Sequence, residues 1–175
     1  MKEELGFVAA LIAQAGVDYA VIGGHAVNAW LEPRFTADID VTIVAAPVQL
    51  EQLTEVFEKE GLSMSEQHGA ELVSGPDFVR FATSDATVVV ELQLAKTALQ
   101  ASVVSRAKVT PGGVRVASPE DLLVLKLIAD RAKDRLDLQG LARLPGLDWS
   151  YVEQQCRDWD VLDRLERLRH DRATD

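Results

Sequence analysis

At 175 residues and 47% hydrophobic content, the chain has the length for one well-packed domain with room for a small helical appendage. Eighteen basic against 28 acidic residues leave a net charge of −10, which opposes non-specific binding to nucleic acid or an anionic membrane, because phosphate contacts need a surplus of Lys and Arg. The single cysteine, Cys156, excludes an internal disulfide and suits a reducing cytosol, so a soluble cytoplasmic protein with no membrane partner is expected.

The first segment, MKEELGFVAALIAQAG, carries Leu5, Val8, Leu11, Ile12 and Ala15 at helical spacing, and Gly16 supplies a stop. Glu3 and Glu4 cancel a positively charged leader and Gln14 breaks the apolar run, so an amphipathic helix is read in place of a signal peptide. Tyr19 to Ile22 predicts a buried strand running into the Gly23-Gly24 turn, and HAVNAWL predicts a short helix ended by Pro33. A strand is expected over Asp38 to Val44. A helix then starts at Pro47 and runs to about Glu60, with Leu50, Leu53, Val56 and Phe57 inward and Gly61 closing it.

Leu62 to Ser65 is a weaker strand reading, followed by a polar loop through His68 and Gly69. Phe78 to Thr83 and Thr87 to Leu94 predict two strands joined by a Ser84-Asp85-Ala86 hairpin. Lys96 to Val103 predicts a short helix, and Val114 to Ala117 a last strand after Pro111-Gly112-Gly113. From Ser118 the pattern is helical only: Ser118 caps, Pro119 suits the first helical position, and Asp121 stands where a capping-box acid belongs. Further helices fit Asp134 to Leu144, Trp149 to Arg157 and Val161 to His170, with Pro145-Gly146 as a break. The expected division is a mixed αβ core over 1–117 and a helical part over 118–175, packed as one unit.

Three features carry chemistry. Strand alternation puts Asp38, Asp40 and Thr42 on one face and Ile39, Val41 and Ile43 on the other. Two carboxylates about 6.6 Å apart repel by roughly 2.5 kcal/mol at an effective dielectric near 20, so they need water on an exposed edge or a divalent cation as compensation. Gly23-Gly24 opens a helix, where main-chain N–H groups can face an anion with no Cβ in the way. Glu91 sits among β-branched neighbours, and if its strand lies beside the one bearing the aspartates, three carboxylates converge. Carboxylates beside a phosphate-cradling turn suit phosphoryl or nucleotidyl transfer.

VIGGHAVNAW followed by R-x-T-x-D-I-D at Arg34 to Asp40 resembles the signature of the DNA polymerase β-like nucleotidyltransferase superfamily in its small bacterial members. KLIADRAKDRLDL, Lys126 to Leu138, resembles the second block of the subgroup that includes the nucleotidyltransferase toxins of type IV, abortive-infection toxin-antitoxin systems. The resemblance implies an α/β fold with a four- or five-stranded mixed sheet flanked by helices and a helical C-terminal part. It implies transfer of a nucleoside monophosphate from a nucleoside triphosphate to an acceptor, dependence on Mg²⁺ or Mn²⁺, and an antitoxin as partner. By matching position, Gly23 and Gly24, with His25, Arg34 and Thr36 around them, would meet the triphosphate; Asp38 and Asp40 would hold the metal; and Glu91 would be the third acid, where the family more often has aspartate. Lys126 would be a triphosphate ligand, with Arg131, Lys133 and Asp134 near the cleft and Asp134 as an auxiliary acid or base.

Each assignment has a plainer counterpart. Lys126, Asp130, Asp134 and Asp137 fall at steps of four, four and three, which on a continuous helix would be a solvated face of ion pairs. His25 either donates to a phosphate or caps, and Arg34 either reaches a phosphate or clamps Asp38 or Asp40. His68 and His170 lack ligand partners at zinc spacing, Trp30, Trp149 and Trp159 read as core or interface anchors, and Cys156 as packing. The mixed charges from Arg157 onward suggest an exposed, fraying helix. Two competing functions remain: a nucleotide- or partner-binding module of the same fold with a degraded site, and a Mn²⁺-dependent glycosyltransferase D-x-D, whose usual fold needs a longer chain. The acceptor classes expected are protein, small molecule and RNA.

Overall fold

The computed structural model describes residues 2–69 and 76–174. It is a mixed α/β structure whose strands form one seven-stranded sheet in the order β3-β4-β5-β2-β1-β7-β6. These are β1 (Asp18–Val21), β2 (Ile39–Val44), β3 (Ser63–His68), β4 (Phe78–Ala82), β5 (Val89–Leu94), β6 (Lys108–Val109) and β7 (Arg115–Val116). The helices are α1 (Lys2–Gln14), α2 (Gly23–Val27), α3 (Pro47–Lys59), α4 (Ala98–Arg106), α5 (Pro119–Ala129), α6 (Arg135–Ala142), α7 (Trp149–Asp158) and α8 (Leu162–Thr174), with a 3₁₀ turn at Ala132–Asp134. The chain divides into two compact units, 1–26 with 34–117 and 27–33 with 118–175.

In the first unit β2 runs parallel to β5 and antiparallel to β1, while β4 pairs antiparallel with both β5 and β3. Register and alternation sort the side chains. Ile39, Val90 and Phe81 lie in one row and Val41, Leu92 and Val79 in another on the same face, all fully or nearly buried. Phe57 of α3 covers that face, meeting Phe81 edge-on with ring centroids 4.9 Å apart. The opposite face carries Asp40, Glu91 and Arg80, which is why β5 alternates half-buried and buried along its length.

Several boundaries differ from the sequence expectation. β3 continues to His68 and is exposed along its whole length; SMSEQH has no apolar alternation, so only its pairing with β4 makes it a strand. The rest of the loop expected beyond Gly69 falls largely outside the described residues. α2 stops at Val27, turns follow, and Pro33 lies in chain without regular secondary structure, so Pro33 does not end the helix. The two-residue strands β6 and β7 extend the sheet past the four or five strands expected, β6 being too short to leave a periodic signal.

In the second unit, α5 buries Leu122, Leu123, Val124 and Leu127 and packs against α6 and α7. Its cap forms as the sequence predicts: the Asp121 amide donates to Ser118 Oγ, whose hydroxyl donates back to Asp121 Oδ2. The Tyr151 hydroxyl donates to the other Asp121 oxygen at 2.6 Å. The helix is not continuous through the second block. Asp130 adopts the left-handed region (φ 47°) and the chain turns there, so the four-residue steps do not form one helical face. Arg164 of α8 donates to the last carbonyls of α5, Leu127 and Ile128, closing that end. α8 also buries Leu165 and Leu168, a seam that its mixed charges hide in the sequence.

Candidate functional site

β1 delivers the chain to the diglycine turn, and β2 brings Asp40 against it. The Ile22 amide donates to the Asp40 carbonyl at 2.8 Å, fixing the turn onto the start of β2. Gly23 has φ 60°, and a Cβ there would overlap the Asp40 carboxylate; a Cβ on Gly24 would stand 2.5 Å from Thr36 Oγ1. Both positions therefore need glycine for space, and the first for backbone conformation as well. Thr36 and Asp40 are thus drawn against the turn.

The sheet supplies the third acid. Asp40 is the register partner of Glu91, and Glu91 is the register partner of Arg80, so the three share one row and one face. Asp38 lies one residue before β2 begins. Arg80, which the sequence reading did not single out, sits between the carboxylates: Nη2 is 3.8 Å from Asp38 Oδ1 and Nη1 is 3.8 Å from Glu91 Oε1. Only the pairing of β4 with β5 could have revealed it. In this arrangement the carboxylates are spread around Arg80, and among the described residues no three His, Cys, Asp or Glu side chains are gathered closely enough to hold a metal ion.

A cavity of about 230 Å³ opens beside the turn, lined by Glu4, His25, Phe35, Thr36 and Thr87 and by apolar residues of β2, β5 and the loops before them. Burial lowers the His25 pKa, partly opposed by Glu4, so the imidazole is neutral at pH 7. Phe35 is 78% exposed at the rim. Arg34 donates from Nη1 to the Phe35 carbonyl at 3.2 Å.

The second sequence block folds into a different kind of cluster. Lys126 Nζ donates to Asp134 Oδ1 at 2.6 Å and to Asp137 Oδ2 at 2.8 Å, and all three residues are no more than 4% exposed. Arg131 Nε donates to the other Asp134 oxygen at 2.8 Å, its own side chain half exposed, and Lys133 is exposed. Burial alone would raise the Asp134 pKa, but the hydrogen bonds from Lys126 and Arg131 outweigh it and hold the carboxyl below its usual range. Both Asp134 oxygens thus receive strong donors, which weakens it as a proton acceptor. The cluster is buried and is not the solvated face of ion pairs.

His68 and His170 are exposed, and His68 Nε2 is 2.6 Å from Glu66 Oε1. Cys156 is fully buried, its thiol pushed up to about 11 by desolvation, in keeping with packing. Trp30 and Trp149 are half-buried and Trp159 is 39% exposed, so none is a fully buried core anchor. No described helix is long and apolar enough to cross a membrane.

Comparison with known proteins agrees with this layout. No curated protein matches the sequence significantly. The fold is similar to that of ANT(2'')-Ia in complex with adenylyl-2''-tobramycin, at 20% identity and a TM-score of 0.59, over 87% of this chain and 92% of that one. It is similar also to an antigenic nucleotidyltransferase-like protein from Paracoccidioides brasiliensis, at 22% identity and a TM-score of 0.58, over 98% and 91%. A third similar structure is the lincosamide antibiotic adenylyltransferase LnuA, lincomycin-bound, at 14% identity and a TM-score of 0.57, over 82% and 97%. A family profile described as nucleotidyl transferase AbiEii toxin, type IV toxin-antitoxin system, matches residues 8–148. With its glycine turn, acidic strand and mixed sheet, the chain belongs to the AbiEii family of nucleotidyltransferase enzymes.

Proposed function

We propose that the chain transfers a nucleoside monophosphate from a nucleoside triphosphate to an acceptor hydroxyl, with Mg²⁺ or Mn²⁺ held by Asp38, Asp40 and Glu91. The observation that carries this reading is the seating of the Asp40 carboxylate against Gly23 with Glu91 in register beside it. The chemistry of the donors fits, though the three acids are not gathered into one cluster: partly exposed carboxylate oxygens next to a turn without Cβ atoms suit a hard cation that keeps waters and takes phosphates as further ligands. When bound, the cation would neutralise charge on the phosphates and on the departing pyrophosphate.

The chain's own groups do the rest. Main-chain N–H groups at Gly23 and Gly24 and the Thr36 hydroxyl bind the triphosphate, and His25, neutral and half-buried, adds one donor. Glu91 takes the proton of the attacking hydroxyl as its oxygen bonds the α-phosphorus and the bond to pyrophosphate breaks. Lys126, Asp134 and Asp137 are assigned to holding the turn between α5 and α6, while Arg131 and Lys133 present exposed charge suited to an anion. The family description suggests an antitoxin partner and a cytoplasmic setting. Because ANT(2'')-Ia is seen with adenylyl-2''-tobramycin and LnuA with lincomycin, a small-molecule hydroxyl stands beside protein and RNA as an acceptor class.

A second reading, a binding module without catalysis, is favoured by the spread of the carboxylates around Arg80. Incubating the protein with each α-labelled triphosphate, Mg²⁺ or Mn²⁺, and cell extract separates the two. Label should pass to one class of acceptor and disappear with Asp38→Asn, Asp40→Asn. Nucleotide binding without any labelled product supports the module instead.

A further inference from the structure

The acidic row has a positive charge built into it. Along the sheet the register runs Glu66, Arg80, Glu91, Asp40, so Arg80 stands between a glutamate on each neighbouring strand. Glu66 is engaged with His68 on its own strand. The two Arg80 terminal nitrogens point instead at Glu91 and Asp38, each at 3.8 Å. That separation is beyond hydrogen-bond reach, so charge alone holds the pairs. All three side chains are between 24% and 41% exposed, where such pairs are weak and screened. Lys126, gripped at 2.6 and 2.8 Å and buried, shows what a permanent ion cluster looks like in the same chain. Arg80 is held as a replaceable ion would be.

Resting on the metal-dependent reading above, we infer that Arg80 is the resident counter-ion of Asp38 and Glu91, and that a divalent cation must displace it to bind there. Guanidinium and dication compete for the same oxygens, so the cation alone binds weakly. A triphosphate shifts the balance, because it brings negative charge for the cation and offers the displaced guanidinium a new partner. Cation loading is thereby tied to nucleotide arrival.

The test is Mn²⁺ binding without nucleotide, followed by the electron paramagnetic resonance signal of the free ion. The proteins are wild type, Arg80→Ala, Arg80→Gln, the Asp38→Asn, Asp40→Asn double variant, and Arg157→Gln as a control for net charge. Circular dichroism checks folding of each. Both Arg80 variants should bind Mn²⁺ roughly tenfold more tightly than wild type, the size expected on removing a unit charge about 6 Å from a dication in near-aqueous surroundings. Arg157→Gln should leave the affinity at the wild-type value. Unchanged or weaker Mn²⁺ binding in both Arg80 variants, with binding still lost in the double variant, overturns the counter-ion role and leaves the metal site standing. A gain equalled by Arg157→Gln overturns it as a general charge effect. Mn²⁺ binding unaffected by the double variant overturns the metal site itself.

Discussion

Two clusters in this chain are built alike, one basic side chain between two carboxylates, and differ in how they are held. Lys126 is buried with Asp134 and Asp137 at hydrogen-bond distance, while Arg80 is partly exposed and 3.8 Å from both Asp38 and Glu91. The first is a fixed element of the fold, since a buried charge stripped of its partner cannot be left in place. The second is open to exchange, since solvent already screens each pair. Charge in the sequence is the same in both; burial and distance separate a cluster locked into the fold from one open to exchange.

The largest effect that would sharpen this contrast is in the buried cluster. Lys126→Met should cost about 3–5 kcal/mol of folding stability in a denaturant titration, because two buried carboxylates lose the ammonium they share and Asp134 keeps only Arg131 as a cation. Adding Asp134→Leu and Asp137→Leu should recover much of that loss; no recovery would mean that the lysine stem, and not its charge, matters. Acid acts on the same cluster. The Asp134 pKa is lowered in the folded state, so its contribution is full above the unfolded value near 3.9 and is lost as pH falls through the folded value. Stability measured down to pH 2 should therefore fall through this window, and less steeply in the Lys126→Met variant.

Gly23→Ala should be intermediate, about 1–2 kcal/mol for the left-handed backbone, together with loss of nucleotide binding as Asp40 is pushed aside. Equilibrium unfolding with and without a metal-triphosphate reads both. Smallest is Arg80→Ala, which should change stability by less than about 1 kcal/mol. A cost of several kcal/mol there would erase the distinction between the clusters.

The sequence exposed the parts of the site that depend on local pattern. Strand alternation put Asp38 and Asp40 on one face, and the diglycine after a buried strand located the turn that the structure sets against Asp40 and Thr36. Arg80 was invisible because its meaning lies in a cross-strand register, which no spacing along the chain encodes. β3 was half seen because an exposed edge strand buries nothing and so shows no alternation. The break at Asp130 was missed because an aspartate, and not a glycine, takes the left-handed position; with it went the single helical face expected for Lys126 to Asp137. Lys126, Asp134 and Asp137 still meet, brought together by a turn instead of by helical periodicity, while Asp130 pairs with Arg164.

The most direct test compares unfolding temperatures of wild type, Asp40→Asn and Asp137→Asn with and without each Mg²⁺-triphosphate. A ligand at a hundred times its dissociation constant stabilises by about 2.7 kcal/mol, well within reach of the measurement. Asp137→Asn should begin lower than wild type and rise by the same increment with the nucleotide that wild type binds. Asp40→Asn should begin at the wild-type temperature and not rise. A full nucleotide-dependent rise in Asp40→Asn, or its loss in Asp137→Asn with an unchanged starting temperature, would contradict the division of labour between the two clusters.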